Sequence, residues 1–396
     1  MRLLIAALLL VLMAAWLWWP LSPQTRCQRR WRIGVTVLLG LSLPLTMALW
    51  WLGVLPFALS VWLQVLSGGM MLMGMLLVPF LLARDLGWGL HALGERLLRR
   101  EPQPGVRRWH APVLTWAAVA VAGAVSVLGV CNGLETPSVV ERELPVADLP
   151  AGLDGLRVAV LSDLHITPAK GRARVEAIVS RTLAARPALI ILPGDMVDGR
   201  VADSSPMVAP LAGLNAPLGV WVAPGNHEVY SGYRQWMDHL AGLGLGLLEN
   251  ASTRIERNGA TLILSGVGDL AAESGRGSGD GALPPDLEAA LADTTRDDFH
   301  LMLVHQPKLA PRVAATGKVD LQVSGHTHGG HLVGFDRWVV APANAGYVRG
   351  PYAVGEMTLF VAPGAGQWDG FTARLGVPSA IDILILRRAE QRQPAP

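Results

Sequence analysis

Residues 324–330 read SGHTHGG, with His326 and His328 separated by Thr327 and enclosed by Gly325, Gly329 and Gly330. The chain has 10 histidines in 396 residues, so two of them in three positions concentrate imidazole well above composition. Upstream, Asp163-Leu164-His165 repeats the same spacing. In an extended segment, residues i and i+2 share one side about 6–7 Å apart, so each pair is expected to aim two donors one way while Thr327 and Leu164 turn away. Side chains so placed reach one cation or two neighbouring ones, and two-metal hydrolytic sites keep their ions about 3.5–4 Å apart. Asp195, in GDMVD, has two carboxylate oxygens and is the natural shared ligand. Asn226, in GNHE, offers an uncharged amide oxygen, and His305 offers a further imidazole. Taken singly, each is ordinary: an Asp before a helix caps it, and a His after a strand is held by a loop hydrogen bond. Seven such residues arising together are not.

The elements that must position them are short apolar runs that end in polar residues. Residues 157–161 (RVAVL) read as a strand ending in SDLH, 188–192 (ALIIL) as one ending in PGDMVD, and 219–223 (GVWVA) as one ending in PGNHE. Residues 299–304 lead to His305, and 321–324 lead to GHTHGG. Further strands are expected at 261–265, 357–362 and 381–386, with helical periodicity at 174–185 and 233–243. Open α/β sheets bind ligands outside the carboxyl ends of their strands. Five strands ending in Asp, Asn or His would gather the donors at one edge. Scattered and buried unpaired, the same groups would be costly. Residues 136–155, with Pro137, Pro145 and Pro150, read as a linker. The stretch ESGRGSGDG at 273–281 is flexible by composition, either a substrate-side loop or an insertion.

The ordered motifs D-x-H, G-D-x-x-D, G-N-H-E, H and G-H-x-H resemble the calcineurin-like metallophosphoesterase superfamily over residues 155–388. SDLH, SGHTHGG, the APLGVW approach to GNH and the late APGAG segment resemble its membrane-anchored bacterial branch, which includes transmembrane proteins with a metallophosphoesterase domain. The resemblance implies an α/β fold, a four-layer αββα sandwich, and a dinuclear site. Asp163, His165, Asp195 and His328 would hold one ion; Asp195, Asn226, His305 and His326 would hold the other. His227 would face the phosphate as general acid or charge stabiliser. A nitrogen- and oxygen-rich donor set suits Mn, Fe or Zn better than Ca. Two positions depart from the family pattern. Glu228 stands where Asp is usual and is expected to orient His227, and His331 stands where Gln is usual and is expected to support the site from behind. Arg374 is a candidate phosphate contact, Asp198 is expected to shape the turn after Asp195, and His239 and His300 are expected on element surfaces.

The first third of the chain is different in kind. Residues 1–132 hold 11 Lys+Arg against 3 Asp+Glu, and the remainder holds 22 against 28. An acidic C-terminal part argues against nonspecific nucleic-acid binding. Only Cys27 and Cys131 occur, which excludes a disulfide framework and Cys-based zinc motifs. From Ile33 to Ala83 there is no Asp, Glu, Lys, Arg or His. About 20 apolar residues cross a bilayer, so this run predicts two spans broken near residues 53–56. With 3–19 and 111–130, about four are expected. The basic residues Arg26, Arg29, Arg30 and Arg32, and Arg84, Arg96, Arg99, Arg100, Arg107 and Arg108, fall between spans and should stay cytoplasmic. This places the C-terminal domain in the periplasm or outside. No ionisable group lies within the expected spans, which favours an anchor over a transporter.

The expected organisation is therefore an all-α transmembrane anchor at 1–132, a linker at 133–155, a catalytic domain at 156–388 and a tail at 389–396. The expected function is a membrane-anchored phosphoesterase with two divalent transition-metal ions. It would hydrolyse a phosphodiester or pyrophosphate, of a small molecule or a lipid, by metal-activated hydroxide. Hydrolysis of UDP-2,3-diacylglucosamine is one alternative implied by resemblance, although that substrate is cytoplasmic. A non-catalytic membrane sensor is the other, and it would require lost ligands, of which none is missing.

Overall fold

The computed structural model describes residues 25–98, 104–275, 280–292, 294–295 and 298–389, preceded by 8–9, 11–12 and 15–18. The chain divides into two units, residues 1–132 with 369–373, and residues 133–368 with 374–396.

Helices dominate the first unit. Helix α1 (Arg26–Trp51) starts at Thr25, whose hydroxyl accepts the Gln28 amide while the Gln28 side chain accepts the Thr25 amide. This reciprocal cap satisfies two amides that the first turn leaves open. The chain then turns through Gly53, at φ 72°, and Pro56 precedes helix α2 (Phe57–Leu97). The break at 53–56 is thus where the sequence puts it. Helix α3 (Pro104–Leu134) follows. Among the described residues, two helices are long and apolar enough to cross a membrane, α2 and residues 112–134 of α3. Four were expected, and the first of these, 3–19, falls largely outside the described residues. The basic residues expected in loops lie on helices: Arg26, Arg29, Arg30 and Arg32 occupy the first two turns of α1, and Arg84 and Arg96 lie within α2. Buried Arg84 donates to Thr115 Oγ1 at 3.0 Å and to Asp85 at 2.8 Å.

Two six-stranded mixed sheets make the second unit. One runs β1-β12-β2-β3-β4-β5 and the other β10-β11-β9-β8-β7-β6. The strands are β1 (Ser138–Val146), β2 (Arg157–Val160), β3 (Leu189–Pro193), β4 (Val220–Ala223), β5 (Gly246–Leu247), β6 (Ala251–Arg257), β7 (Ala260–Gly266), β8 (Phe299–Leu303), β9 (Leu321–Ser324), β10 (Gly350–Val354), β11 (Met357–Val361) and β12 (Ala380–Arg388). Side chains alternate between faces along a strand, and this sorts the core into layers. Val158, Val160, Leu189 and Ile191 of the first sheet share one core with Leu262, Leu264, Leu301 and Val323 of the second. The opposite face of the first sheet, including Ala159, Ile190 and Val222, packs on Val175 and Ile178 of α4 (Gly171–Ala184) and on Trp236 and Leu240. That of the second, including Met302 and Leu359, packs on Val313 of the short helix Ala310–Ala314. Helices therefore line the outer faces of two stacked sheets.

The stretch expected as a linker contains a strand. β1 pairs in parallel with β12 from Ser138↔Ala380 to Val146↔Arg388, on the sheet edge. An edge strand tolerates Pro145, whose missing N–H would break a central ladder, so the proline that suggested a linker marks an edge instead. Strands β2, β3 and β4 are mutually parallel, as are β8, β9 and β11. Each set of carboxyl ends therefore lies along one edge of its sheet.

Candidate metal centre

The segments beyond those carboxyl ends are bonded to one another. The Asp163 and His165 amides donate to Gly194 and Asp195 carbonyls at 3.1 and 3.0 Å, and the Gly325 amide donates to the His305 carbonyl at 3.0 Å. The approach is close enough to demand glycine. A Cβ on Gly225 would lie 2.3 Å from Asp195 Oδ1, and one on Gly325 would lie 1.8 Å from Ser162 Oγ.

Three donor groups come together: Asp163, His165 and His328; His165, Asp195 and His227; and Asp195, His305 and His326. Within each group one atom per residue lies within 4.8 Å of the others. Asn226 joins the third, with Oδ1 3.2 Å from His305 Nε2. All seven residues expected to ligate therefore converge, and His227 stands beside them.

Their aim is not that of extended strands. Asp163 (φ 56°), His165 (44°), Asp195 (57°), His326 (72°) and His328 (50°) all occupy the left-handed region, while Thr327 between the histidines is right-handed. The alternating handedness, rather than a strand pleat, turns both histidines toward the site. A non-glycine residue in this region costs roughly 1–2 kcal/mol, so five together cost on the order of 5 kcal/mol and persist only where the surroundings impose them.

Several bonds do so. Glu228 accepts backbone amides from Gly225 (2.7 Å), Asp195 (2.9 Å), Met196 (2.7 Å) and Val197 (3.3 Å). It was expected to orient His227; its longer side chain instead reaches back to the Asp195 turn. Asp163 Oδ1 accepts the His326 amide at 2.8 Å, and Asp195 Oδ1 accepts the His227 amide at 2.8 Å. The residue that does orient His227 is Asp198, which was expected only to shape a turn. One carboxylate oxygen bonds His227 Nδ1 and the other lies 3.0 Å from His165 Nδ1. Its position three residues after Asp195 in GDMVD was the available signal.

Hydrogen-bond logic tests whether these residues fit a cation. His305 Nδ1 lies 2.8 Å from the Pro193 carbonyl, which can only accept, so Nδ1 carries the hydrogen. A neutral ring then directs the Nε2 lone pair at Asp195 Oδ2 (3.0 Å) and Asn226 Oδ1 (3.2 Å), both acceptors. His165 is arranged alike. Its Nδ1 faces Asp198, and its Nε2 lies 3.2 Å from His328 Nε2 and 3.7 Å from Asp195 Oδ2. Lone pairs aimed at lone pairs require a proton or a metal ion between them, and an outer carboxylate or carbonyl on each ring is how proteins orient ligand histidines. The donor set fits divalent cations. Without one, burial would lower His305, but the Asp195 and Asp163 carboxylates outweigh it and raise it well above its ordinary range. Burial likewise opposes the charge on Asp195, yet His305, His227 and His165 hold it well below. His326 is pushed down to about 3 by burial and by the neighbouring His305 charge. Burial would also lower His227, but Asp198 and Asp195 raise it to about 9.

The remaining candidates separate. His331 stacks on His328, ring centres 5.0 Å apart, and its Nδ1 lies 2.6 Å from Gln367 Nε2, so it braces His328 from outside. Arg374, the candidate phosphate contact, is turned toward the backbone. It is 1% exposed and donates to the carbonyls of Gly366 (2.7 Å), Pro363 (2.9 Å) and His328 (3.1 Å). His300 is buried in the second sheet with its Nε2 2.6 Å from Ser265 Oγ, not on a surface. His239 is half-buried with its ring edge-on to Trp236. Tyr230 and Trp368, which no motif singled out, flank the partly exposed His227 ring at 5.5 and 6.0 Å.

A model of the calcineurin-like phosphoesterase family matches residues 156–330. The chain is 32% identical over 281 residues to a Danio rerio protein named transmembrane protein with metallophosphoesterase domain, a match covering 69% of this chain and 63% of that one. To the Bos taurus protein of the same name it is 34% identical over 281 residues, covering 69% and 62%. It thus spans less than two thirds of the length of these two relatives. An uncharacterized metallophosphoesterase from Aquifex aeolicus is 31% identical over 208 residues, covering 52% of this chain and 76% of that protein.

Proposed function

This chain belongs to the calcineurin-like phosphoesterase family, and from that premise we propose that it is a membrane-anchored, metal-dependent phosphoesterase acting on a phosphodiester or pyrophosphate, with lipid and lipid-linked phosphates as its substrate class. The observation that carries the reading is the convergence of the donor groups, with Nε2 of His305 and of His165 turned toward acceptor oxygens. Asp163, His165, Asp195 and His328 would hold one ion, and Asp195, Asn226, His305 and His326 a second. Bound divalent ions such as Mn, Fe or Zn would supply Lewis-acid polarisation of the phosphoryl group and a nucleophilic oxygen at neutral pH.

The chain's own residues account for the rest. Asp198 on Nδ1 leaves Nε2 as the free donor of His227, and the carboxylates around the ring favour its cation. That cation is suited to neutralise charge on a phosphoryl oxygen and to protonate the leaving oxygen. Tyr230 and Trp368 beside it would flank the departing group. Glu228 keeps the Asp195 turn in register and touches no substrate.

The apolar helices support membrane anchoring, and the basic residues on α1 and α2 support a cytoplasmic location for those helix ends. With four spans this would place the catalytic unit on the periplasmic or outer side of a bacterial inner membrane. The test uses the purified full chain, assayed for metal content and for hydrolysis of bis(p-nitrophenyl) phosphate with and without Mn²⁺. The parent should bind metal and turn over, and Asp195→Asn should lose both. Equal metal content and turnover in the two proteins would refute the site.

A further inference from the structure

Among the described residues of the second unit, the large apolar side chains that stand exposed are Tyr230, Leu283, Val333, Trp338 and Val339. Three of these five fall within seven consecutive residues, at 70%, 76% and 50% exposure, immediately after the turn that carries His326 and His328. Arg337 stands exposed beside them, with its guanidinium 5.5 Å from the centre of the Trp338 ring. A tryptophan next to an arginine suits the boundary between headgroups and acyl chains, where an amphipathic ring and a cation are both accommodated.

This tip is fastened to the histidine turn. Asp336 pairs with Arg349 at 2.7 Å, and Arg349 also donates to the Gly329 carbonyl at 2.6 Å. Asp336 Oδ1 accepts the amides of Gly334 (2.8 Å) and Arg337 (2.7 Å), and the Val333 amide donates to the Leu375 carbonyl at 3.2 Å. Whatever the tip touches is therefore held beside the site.

The connection from the last apolar helix is short. Helix α3 ends at Leu134 and β1 begins at Ser138, an interval of at most about 14 Å even when fully extended. Two arginines of α4 grip it: Arg174 bonds the Leu134 carbonyl, and Arg181 donates to the carbonyls of Thr136 (3.0 Å) and Pro137 (2.8 Å).

We infer that residues 333–339 form a membrane-contacting tip, inserting Val333, Trp338 and Val339 among the lipids of an anionic bilayer surface with Arg337 at headgroup level, and so present the metal centre to phosphate esters carried by that surface. The inference rests on the membrane-anchored reading above and adds the surface by which the site would meet its substrate. Moving these three side chains out of water into lipid is favourable because it removes apolar surface from solvent.

The test uses the full chain with Cys27→Ser and Cys131→Ser, spin-labelled at Val339→Cys or, as a solvent-facing control, at Glu288→Cys. The protein is reconstituted in vesicles of phosphatidylcholine and phosphatidylglycerol. Collision with oxygen should exceed collision with a water-soluble nickel chelate at 339, and the order should reverse at 288. A label at 339 as nickel-accessible as that at 288 overturns the inference, and so does one shielded from both reagents, which would mean protein covers the tip. Release of the chain from membranes by carbonate would sink the anchor itself, a separate failure. In a second arm, Trp338→Asp should slow hydrolysis of a phosphodiester presented in vesicles and spare that of soluble bis(p-nitrophenyl) phosphate. Equal effects on both overturn the inference. If the parent hydrolyses neither, the enzymatic reading fails while the label still decides the tip.

Discussion

Replacing Arg374 separates the two roles that its position allows. Arg374→Met keeps the length and bulk of the side chain and removes its donors. Three carbonyls bonded at 3.1 Å or less would lose their partner, those of Gly366, Pro363 and His328. Hydrogen bonds to charged groups contribute about 1.5–3 kcal/mol each, but removing the guanidinium also relieves its own desolvation, so about 1 kcal/mol net per bond is the appropriate scale. That desolvation is substantial, since burial pulls the Arg374 pKa down to about 9. The loss should be about 3 kcal/mol. At roughly 2–4 °C per kcal/mol for a unit of this size, the melting temperature of the catalytic unit should fall by about 6–12 °C. The assay is thermal unfolding of the full chain in detergent, paired with KM for a small phosphodiester well below the transition. Arg374→Lys, which keeps the charge with fewer and less directed donors, should fall between parent and Met variant. The expected result is a lower melting temperature at unchanged KM. An unchanged melting temperature with a raised KM would show that Arg374 touches substrate, and the structural assignment would be wrong.

Asp198→Asn should cut kcat by about a hundredfold or more at saturating metal, as expected for an untuned general acid, and should weaken metal affinity by roughly 10–100-fold because Asp198 holds the outer nitrogen of His165 as well as that of His227. Gly225→Ala should abolish tight metal binding measured by calorimetry, because its Cβ would lie 2.3 Å from Asp195 Oδ1; retention of parent affinity would mean that the Asp195 turn can give way. His300 supplies a pH test distant from the donor groups. Burial holds its pKa at about 4, against about 6.5 unfolded, so the unfolded chain binds the extra proton; stability is complete above pH 6.5 and lost as pH falls toward 4, by roughly 3 kcal/mol. His300→Gln should remove that slope from the difference between its urea-unfolding profile and the parent's, and parallel profiles would count against a neutral buried imidazole.

Which residues come together was legible because donor types and strand ends are properties of the sequence. Asp163, His165, Asp195, Asn226, His305, His326 and His328 each follow an apolar run, and parallel strands carry their ends to one edge wherever the core packs. How the donors are aimed was not legible. Period-two alternation requires extended backbone, and five of the seven residues are left-handed instead. The same limit explains Glu228 and Arg374. A charged residue near a motif invites a substrate role, but whether it faces the cleft or the chain behind it depends on backbone turns that the sequence does not display. Pro145 misled for a related reason, since proline excludes a central strand and permits an edge one.

These misreadings share a cause that bears on how the centre works. A left-handed turn costing roughly 1–2 kcal/mol per residue is not a resting conformation, and the ligands alone, as like-facing lone pairs, would push it open. Glu228 on four amides, Asp163 on the His326 amide, Asp195 on the His227 amide and Arg374 on three carbonyls oppose that relaxation. Two of these four carry a second duty, because Asp195 Oδ2 lies 3.0 Å from His305 Nε2 and Asp163 Oδ1 lies 3.7 Å from His328 Nε2. The carboxylates that would bind metal are therefore also those that hold the histidine turns in place. Loss of either should cost donor geometry on both sides of the centre, and a cation bound there would stabilise the same strained turns that create its site.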